Sequence, residues 1–373
     1  MAGIYIHVPF CSKKCLYCDF FSKTDMSVKN DYITALLNEI SQRKVFLEGD
    51  KINTLYFGGG TPSQLSENDF EELFKSLDTN FDLSCCKEIT IEVNPDDIDD
   101  DYIRILNKFP FNRISMGIQS FKDSDLKFLN RRHTSDEAIN VVRKLQNAGF
   151  NNISIDLIYG IPGQTIEDWK LNIEKAVSLG VQHISAYHLI YEEGTPLFKL
   201  LEKGKIKEVD EDLSLEMFKL LISELEKYGF VQYEISNFCL PEYYSRHNSS
   251  YWNGDSYLGL GPGAHSYYNG LRSFNKHDIK IYNSGIDYFE DEILSQNDIF
   301  NDYILTRIRV MQGMSICETE NRFGKEKTEY ILKIAEKYIS QNMLEIIDGY
   351  LRLTKNGIFI SDAIMSDMMI IDD

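Results

Sequence analysis

Tyr5-Ile6-His7-Val8-Pro9-Phe10-Cys11-Ser12-Lys13-Lys14-Cys15-Leu16-Tyr17-Cys18 sets the reading of the whole chain. It begins as a short β-rich run, Ile4–Val8, and breaks at Pro9 into a loop with three crowded cysteines. The chain has 7 cysteines, at positions 11, 15, 18, 85, 86, 239 and 317, and an odd number so clustered is no disulfide framework. Three thiolates on one tight loop can hold three irons of a [4Fe-4S] cubane. The fourth iron then stays open to an exchangeable small molecule, as open metal positions generally do. A structural zinc site needs a fourth Cys or His at close spacing, and neither His7 nor His133 completes one. Cys85, Cys86, Cys239 and Cys317 have no ligand spacing and read as inert.

Outward from this loop, short β-rich runs alternate with amphipathic stretches. Ile4–Val8, Asn53–Phe57, Glu88–Val93, Arg113–Ile118, Ile153–Ile158 and His183–Leu189 read as strands. Asp31–Phe46, Glu67–Leu77, Asp100–Asn107, Ser135–Ala148 and Ile166–Leu179 read as helices, with apolar spacings of three and four. Ser66 and Ser135 mark helix starts, and Gly149 and Gly180 mark helix ends. Such alternation predicts an α/β fold with a parallel sheet, either open and doubly wound or closed toward a barrel. The unusual residues cluster where strands end: Cys11, Gly58-Gly59-Gly60-Thr61-Pro62, Asn94-Pro95, Gln119 and Tyr159-Gly160-Ile161-Pro162-Gly163. The carboxyl ends of parallel strands are where α/β active sites sit.

A further helix, Leu213–Tyr228, and strand, Gln232–Ile235, complete a first unit over residues 1–236. Residues 237–300 form an aromatic-rich connecting region, since linkers lack aromatics. Residues 301–373 read as helices followed by a hairpin-like run, Met343–Ile360, turning at Asp348-Gly349, which together resemble a winged helix. That last segment has 9 Lys/Arg against 12 Asp/Glu, the wrong sign for reading DNA. The 373 residues carry a net charge of −19, which disfavours nucleic acid as a partner. No apolar run approaches the roughly 18 residues of a membrane span. Met1–Phe20 is interrupted by His7, Pro9, Lys13 and Lys14, so it lacks a signal-peptide core, and a cytoplasmic protein is expected.

Cys11-x-x-x-Cys15-x-x-Cys18, with Tyr17 beside it, resembles the radical S-adenosylmethionine superfamily, and more narrowly the oxygen-independent coproporphyrinogen III oxidase-like family. The likeness spans nearly the whole chain through Gly58–Pro62, Glu92-Val93-Asn94-Pro95, Gly117-Ile118-Gln119-Ser120-Phe121 and Asp156–Gly163. It implies a partial (β/α)6 TIM-type barrel with a winged-helix-like α+β region after it. It further implies a [4Fe-4S] cluster on Cys11, Cys15 and Cys18 and S-adenosylmethionine bound by Tyr5, Tyr17, Gly59, Gly60, Thr61 and Glu92. Gln119, Arg131 and Asp156 match positions that contact a second cofactor molecule in the oxidase. Two departures point away from that oxidase: Phe20 stands where it has a fourth cysteine, and only four residues precede Tyr5. His247-Asn248-Ser249-Ser250-Tyr251-Trp252 resembles the His-Asn-x-x-Tyr-Trp motif of the haem chaperone branch. The implied function is to carry haem and pass it to an acceptor protein, which can be membrane-bound; oxidative decarboxylation of coproporphyrinogen III is the alternative. Histidine can ligate haem iron, while Tyr251 and Trp252 offer flat apolar faces with a polar edge, so His247, Asn248, Tyr251 and Trp252 are the haem candidates. His265 is a second candidate ligand.

Overall fold

A computed structural model describes residues 1–371. Six parallel strands run in sequence order: β1 (Ala2–Val8), β2 (Ile52–Gly59), β3 (Glu88–Val93), β4 (Arg113–Gln119), β5 (Ile153–Tyr159) and β6 (His183–His188). Helices α1 (Lys29–Arg43), α2 (Glu67–Asn80), α3 (Asp100–Lys108), α4 (Asp123–Phe128), α5 (Ser135–Asn147) and α6 (Ile166–Ser178) lie between them. This is the partial (β/α)6 barrel. On β1, Ile4, Ile6 and Val8 are fully buried and alternate with Tyr5 and His7, as the period of two along a strand requires. The alternation recurs around the sheet and lines the inner face with Thr54 and Tyr56, Thr90 and Glu92, Arg113 and Ser115, Ser154 and Asp156, and His183 and Ser185. The outer face packs on the helices. Phe57 meets Phe70, Phe74 and Phe111 there with ring centroids 5.5–5.9 Å apart, each such ring contributing about 1.5–3 kcal/mol by burial.

Helix starts are set by capping boxes, Ser66 with Asp69 on α2 and Thr165 with Asp168 on α6. The cap of α5 is Thr134, with Glu137 completing the box, so Ser135 is the first helical residue, as expected, and not the cap. After β6 come α7 (Pro196–Glu202) and α8 (Glu211–Lys227). The expected strand Gln232–Ile235 is instead two short ones, β7 (Val231–Gln232) and β8 (Asn237–Cys239), folded back antiparallel on the β6 edge. The turn between them is held by Glu234, whose carboxylate accepts from the Ser236 and Asn237 nitrogens.

The aromatic-rich stretch is regular structure. It holds α9 (Arg246–Asn253), β9 (Tyr257–Leu260), β10 (His265–Tyr268), β11 (Leu271–Asn275), α10 (Ile279–Ser284) and β12 (Phe289–Ile293). β9 pairs parallel with β1, and β10 to β12 extend that edge as an antiparallel meander, giving one twelve-stranded sheet. Next, α11 (Gln296–Arg309) runs straight across the expected boundary at residue 301. A winged-helix-like region follows: β13 (Met314–Ser315), α12 (Ile316–Phe323), α13 (Lys325–Ser340), β14 (Leu344–Ile347) and β15 (Tyr350–Leu353), the strands ordered β13-β15-β14. The β14–β15 hairpin turns at Asp348 and Gly349, both at positive φ (52° and 80°), as a two-residue primed turn demands. It stops at Leu353, and Ile358–Ile360 is a 3-10 turn leading into α14 (Ser361–Met368). Among the described residues no helix is long and apolar enough to cross a membrane.

Candidate functional site

The carboxyl ends of β1 to β6 open into a cavity of about 460 Å³. Its wall brings together Cys11, Cys15, Cys18, Tyr17, Gly59, Gly60, Thr61, Glu92, Gln119, Arg131 and Asp156. The cysteine loop reaches it because the second strand's backbone packs directly beneath. A Cβ on Gly60 would lie 2.8 Å from the Val8 and Phe10 carbonyl oxygens, and one on Gly59, at φ 103°, would lie 2.5 Å from the His7 ring. Glycine there serves the close approach of the chain to itself.

The three thiols are partly exposed and braced by neighbours. Thr61 Oγ1 donates to Cys11 Sγ at 3.4 Å and Arg131 Nη1 to Cys15 Sγ at 3.4 Å. Asn94 joins the two braces: its Nδ2 donates to Thr61 Oγ1 at 3.0 Å and its Oδ1 accepts from Arg131 Nη2 at 2.5 Å. Burial pushes the Cys18 thiol up to about 11 and raises Cys11 as well. Metal binding to them therefore displaces protons. Among the described residues no three Cys, His, Asp or Glu side chains converge on a single-ion site.

Facing the loop are two enclosed carboxyl groups. Glu92 accepts from Tyr56 Oη at 2.7 Å and from the Gly59 amide at 3.1 Å. Burial first, and then the nearby Asp156, push it up to about 7. Burial likewise pushes Asp156 up to about 6, against the hydrogen bond from Ser185 and the charges of Arg113 and Arg131. Gln119 ends β4 at φ 71°, where the β4–β5 register slips, and its amide lies over Gly117. The sequence reading missed two residues. Asn94 was visible only as part of a strand-end Asn-Pro. Arg113 is 1% exposed on the inner face of β4, and it eases the charge on Glu92 and Asp156. An arginine at the first position of a short strand was its signal.

Tyr5 does not reach this cavity. Its hydroxyl meets His7 Nδ1 at 3.1 Å and its ring lies 6.0 Å from Tyr56, deeper in the barrel. Below it, α9 closes the amino ends of the strands. Glu88 accepts from the Arg246 and His247 amides, both at 2.9 Å, and so fixes the start of α9 to β3. His247 is 1% exposed, with Nδ1 against Thr54 Oγ1 and Nε2 against Tyr251 Oη, both at 2.8 Å. It stacks on Tyr56 at 5.0 Å, and burial with the charge of Arg113 lowers it to about 3. With both ring nitrogens engaged, His247 has no lone pair to give a haem iron in this arrangement. Asn248 donates its amide to the Ser245 cap at 3.3 Å, and neither residue lines a cavity described here.

Tyr251 and Trp252, one turn further on, line a second cavity of about 820 Å³ between the β9–β11 edge, α11 and α14. Tyr5, His7, Phe21, His265 and His277 share its wall. Asp19 and Phe20, just past the last cluster cysteine, line both cavities, so the two adjoin.

Residues 5–176 match the Radical SAM superfamily and residues 294–360 match the HemN C-terminal domain. The chain is 33% identical to the heme chaperone HemW of Lactococcus lactis subsp. lactis, over 99% of this chain and 97% of the relative. It is 31% identical to the heme chaperone HemW of Bacillus subtilis, over 96% of each. Its fold is similar to that of coproporphyrinogen III oxidase (HemN) from Escherichia coli, a radical SAM enzyme. The TM-score is 0.84 at 23% identity, over 99% of this chain and 90% of that one.

Proposed function

Since the chain belongs to the radical S-adenosylmethionine superfamily, in the haem chaperone (HemW) branch of the oxygen-independent coproporphyrinogen III oxidase-like family, we propose that it binds haem and hands it to an acceptor protein in the cytoplasm or at a membrane. The observation that carries this reading is likeness to proteins named heme chaperone over almost the full length of both chains. The pair of adjoining cavities supports it, one lined by the three neighbouring thiols and one wide and aromatic.

Cys11, Cys15 and Cys18 would hold a [4Fe-4S] cluster in the smaller cavity, with S-adenosylmethionine beside it. When bound, that pair supplies one-electron chemistry. The chain's own residues fit it. Thr61 and Arg131 fix two of the thiols by hydrogen bonds to their sulfurs. The Glu92 and Asp156 carboxyls, costly to ionise because they are buried, are suited to an ammonium group and ribose hydroxyls. Gly59 and Gly60 bring the end of the second strand against the cysteine loop, and both line the cavity. In the larger cavity, Tyr251 and Trp252 give flat faces with a polar edge.

The test is anaerobic cluster reconstitution followed by two parallel assays, haem titration at the Soret band and conversion of coproporphyrinogen III, with an authentic oxidase as control. Haem binding without decarboxylation is expected. Formation of protoporphyrinogen by a chain that binds no haem would overturn the reading.

A further inference from the structure

The haem reading leaves open which group takes the iron, and the hydrogen bonding of the histidines answers it by elimination. Five of the 7 histidines are committed. His7 meets Tyr5 Oη and the Phe21 carbonyl, His183 meets Ser154 and Tyr233, and His247 meets Thr54 and Tyr251. His133 bonds the Ile118 carbonyl and faces Asp96, and His188 bonds Ser214. Only His265 and His277, among the described residues, have no hydrogen bond on either ring nitrogen. Both are exposed, and both stand on the wall of the 820 Å³ cavity. That size lies within the range of cofactor pockets, about 300–1,000 Å³.

The two rings are placed by the sheet edge. His265 opens β10 opposite Phe274 on β11 and stacks on it at 5.8 Å. His277 follows β11, lies 5.8 Å from the Phe21 ring and packs over Gly263, where a Cβ would come within 2.9 Å of its Cδ2. The remaining wall suits a flat plate with an acidic rim. Trp252 keeps its Nε1 buried without an acceptor. Arg322 lies over the rings of Tyr303, at 5.4 Å, and Phe323, at 5.1 Å, and pairs with no carboxylate among the described residues. Arg272, by contrast, is held by Glu292 and Asp302.

We propose that the cavity between the β9–β11 edge and the C-terminal helices is the porphyrin site, with His265 and His277 supplying the axial nitrogen and Arg322 and Trp252 facing the propionates. This rests on the haem reading and deepens it, moving the iron from His247 to a pair of free imidazoles. His247 is then a positioning residue, holding α9 so that Tyr251 and Trp252 face the plate.

Ferric haem is titrated into the full chain and into His265→Ala with His277→Ala, each alone and together, and His247→Ala, with absorption and electron paramagnetic resonance spectra recorded. The double variant is expected to lose the low-spin imidazole spectrum, to bind haem about tenfold or more weakly, and to regain the low-spin spectrum on adding free imidazole. Metal-free protoporphyrin should bind the double variant and the unsubstituted chain alike, since no iron is there to ligate. His247→Ala should keep the low-spin imidazole spectrum while binding haem more weakly, since the iron's ligands remain and only the seat of α9 is loosened. A double variant with unchanged spectrum and affinity overturns the assignment, as does equal weakening of haem and metal-free porphyrin. A full chain that binds no haem overturns the function proposed above and leaves the geometry of the histidines unaffected.

Discussion

Glu92 and Asp156, at the carboxyl end of the barrel, line an open cavity and have their proton affinities raised to about 7 and about 6. At the amino end, His247 is sealed under α9 with its affinity lowered to about 3, and every polar atom of its ring has a partner. Both ends bury ionisable groups in the same barrel, Glu92 and Asp156 on its strands and His247 on the helix that closes it. The amino end has sealed its histidine under a helix, whereas the carboxyl end keeps two carboxyls of raised proton affinity on the wall of an open cavity, and groups so perturbed in a cleft are candidates for a ligand site. The residues following the motif histidine repeat the contrast on a smaller scale: His247 braces the barrel, and Tyr251 and Trp252 look into the second cavity.

The largest effect expected from this contrast is on stability. His247→Ala removes two buried hydrogen bonds and a stacked ring, and should lower unfolding free energy by about 2–4 kcal/mol in urea titrations at neutral pH. The sign with pH follows from the depressed affinity. The unfolded chain takes up a proton at His247 near 6.5, the folded one only near 3, so the histidine's contribution is full above 6.5 and fades as pH falls toward 3. The gap between variant and unsubstituted chain should therefore narrow in acid. A gap below about 0.5 kcal/mol at neutral pH would mean that the motif is not structural.

Glu92→Gln should act in the opposite direction. Because the folded affinity is raised, the neutral carboxyl is favoured below about 4.5, and this contribution is lost as pH rises through about 7. At pH 8 the variant should be more stable than the ligand-free chain by about 1–3 kcal/mol, and the gain should vanish below pH 4.5, while equilibrium dialysis finds S-adenosylmethionine retention lost. A destabilised variant at pH 8 would place Glu92 with the internally satisfied groups.

The smallest stability change is expected where the chemistry is greatest. The triple substitution Cys11→Ala, Cys15→Ala, Cys18→Ala sits on a partly exposed loop and should shift the unfolding free energy of the cluster-free protein by less than about 1 kcal/mol. Iron and sulfide analysis of the same variant after reconstitution should find the cluster gone.

Much of the carboxyl end was legible in the sequence because its residues occupy loops right after strands, where spacing along the chain survives as proximity in space. Cys11 and Gly60 were marked by strand endings and Glu92 by its place near the end of β3, whereas Asp156, in the middle of β5, was marked only by the family resemblance. The barrel itself was also encoded, in polar residues at every second position of the strands, Thr54 and Tyr56 or Ser154 and Asp156; a sheet covered on both faces would be apolar throughout. The amino end was not legible. That His247 belongs beneath Tyr56, and that Glu88 receives α9, are contacts across 159 residues or more, which no local pattern announces. The pairing of His265 with Phe274 depends on the β10–β11 register, and the aromatic stretch hid that register behind an irregular mix of Gly and Tyr.

Cluster and haem are assigned to adjoining but separate cavities, and haem titration of the cluster-free triple cysteine variant tests that separation most directly. Retention of haem at one per chain, with the spectrum of the unsubstituted protein, is the expected result. Loss of haem binding together with the cluster, in a variant whose circular dichroism shows the fold intact, would contradict it.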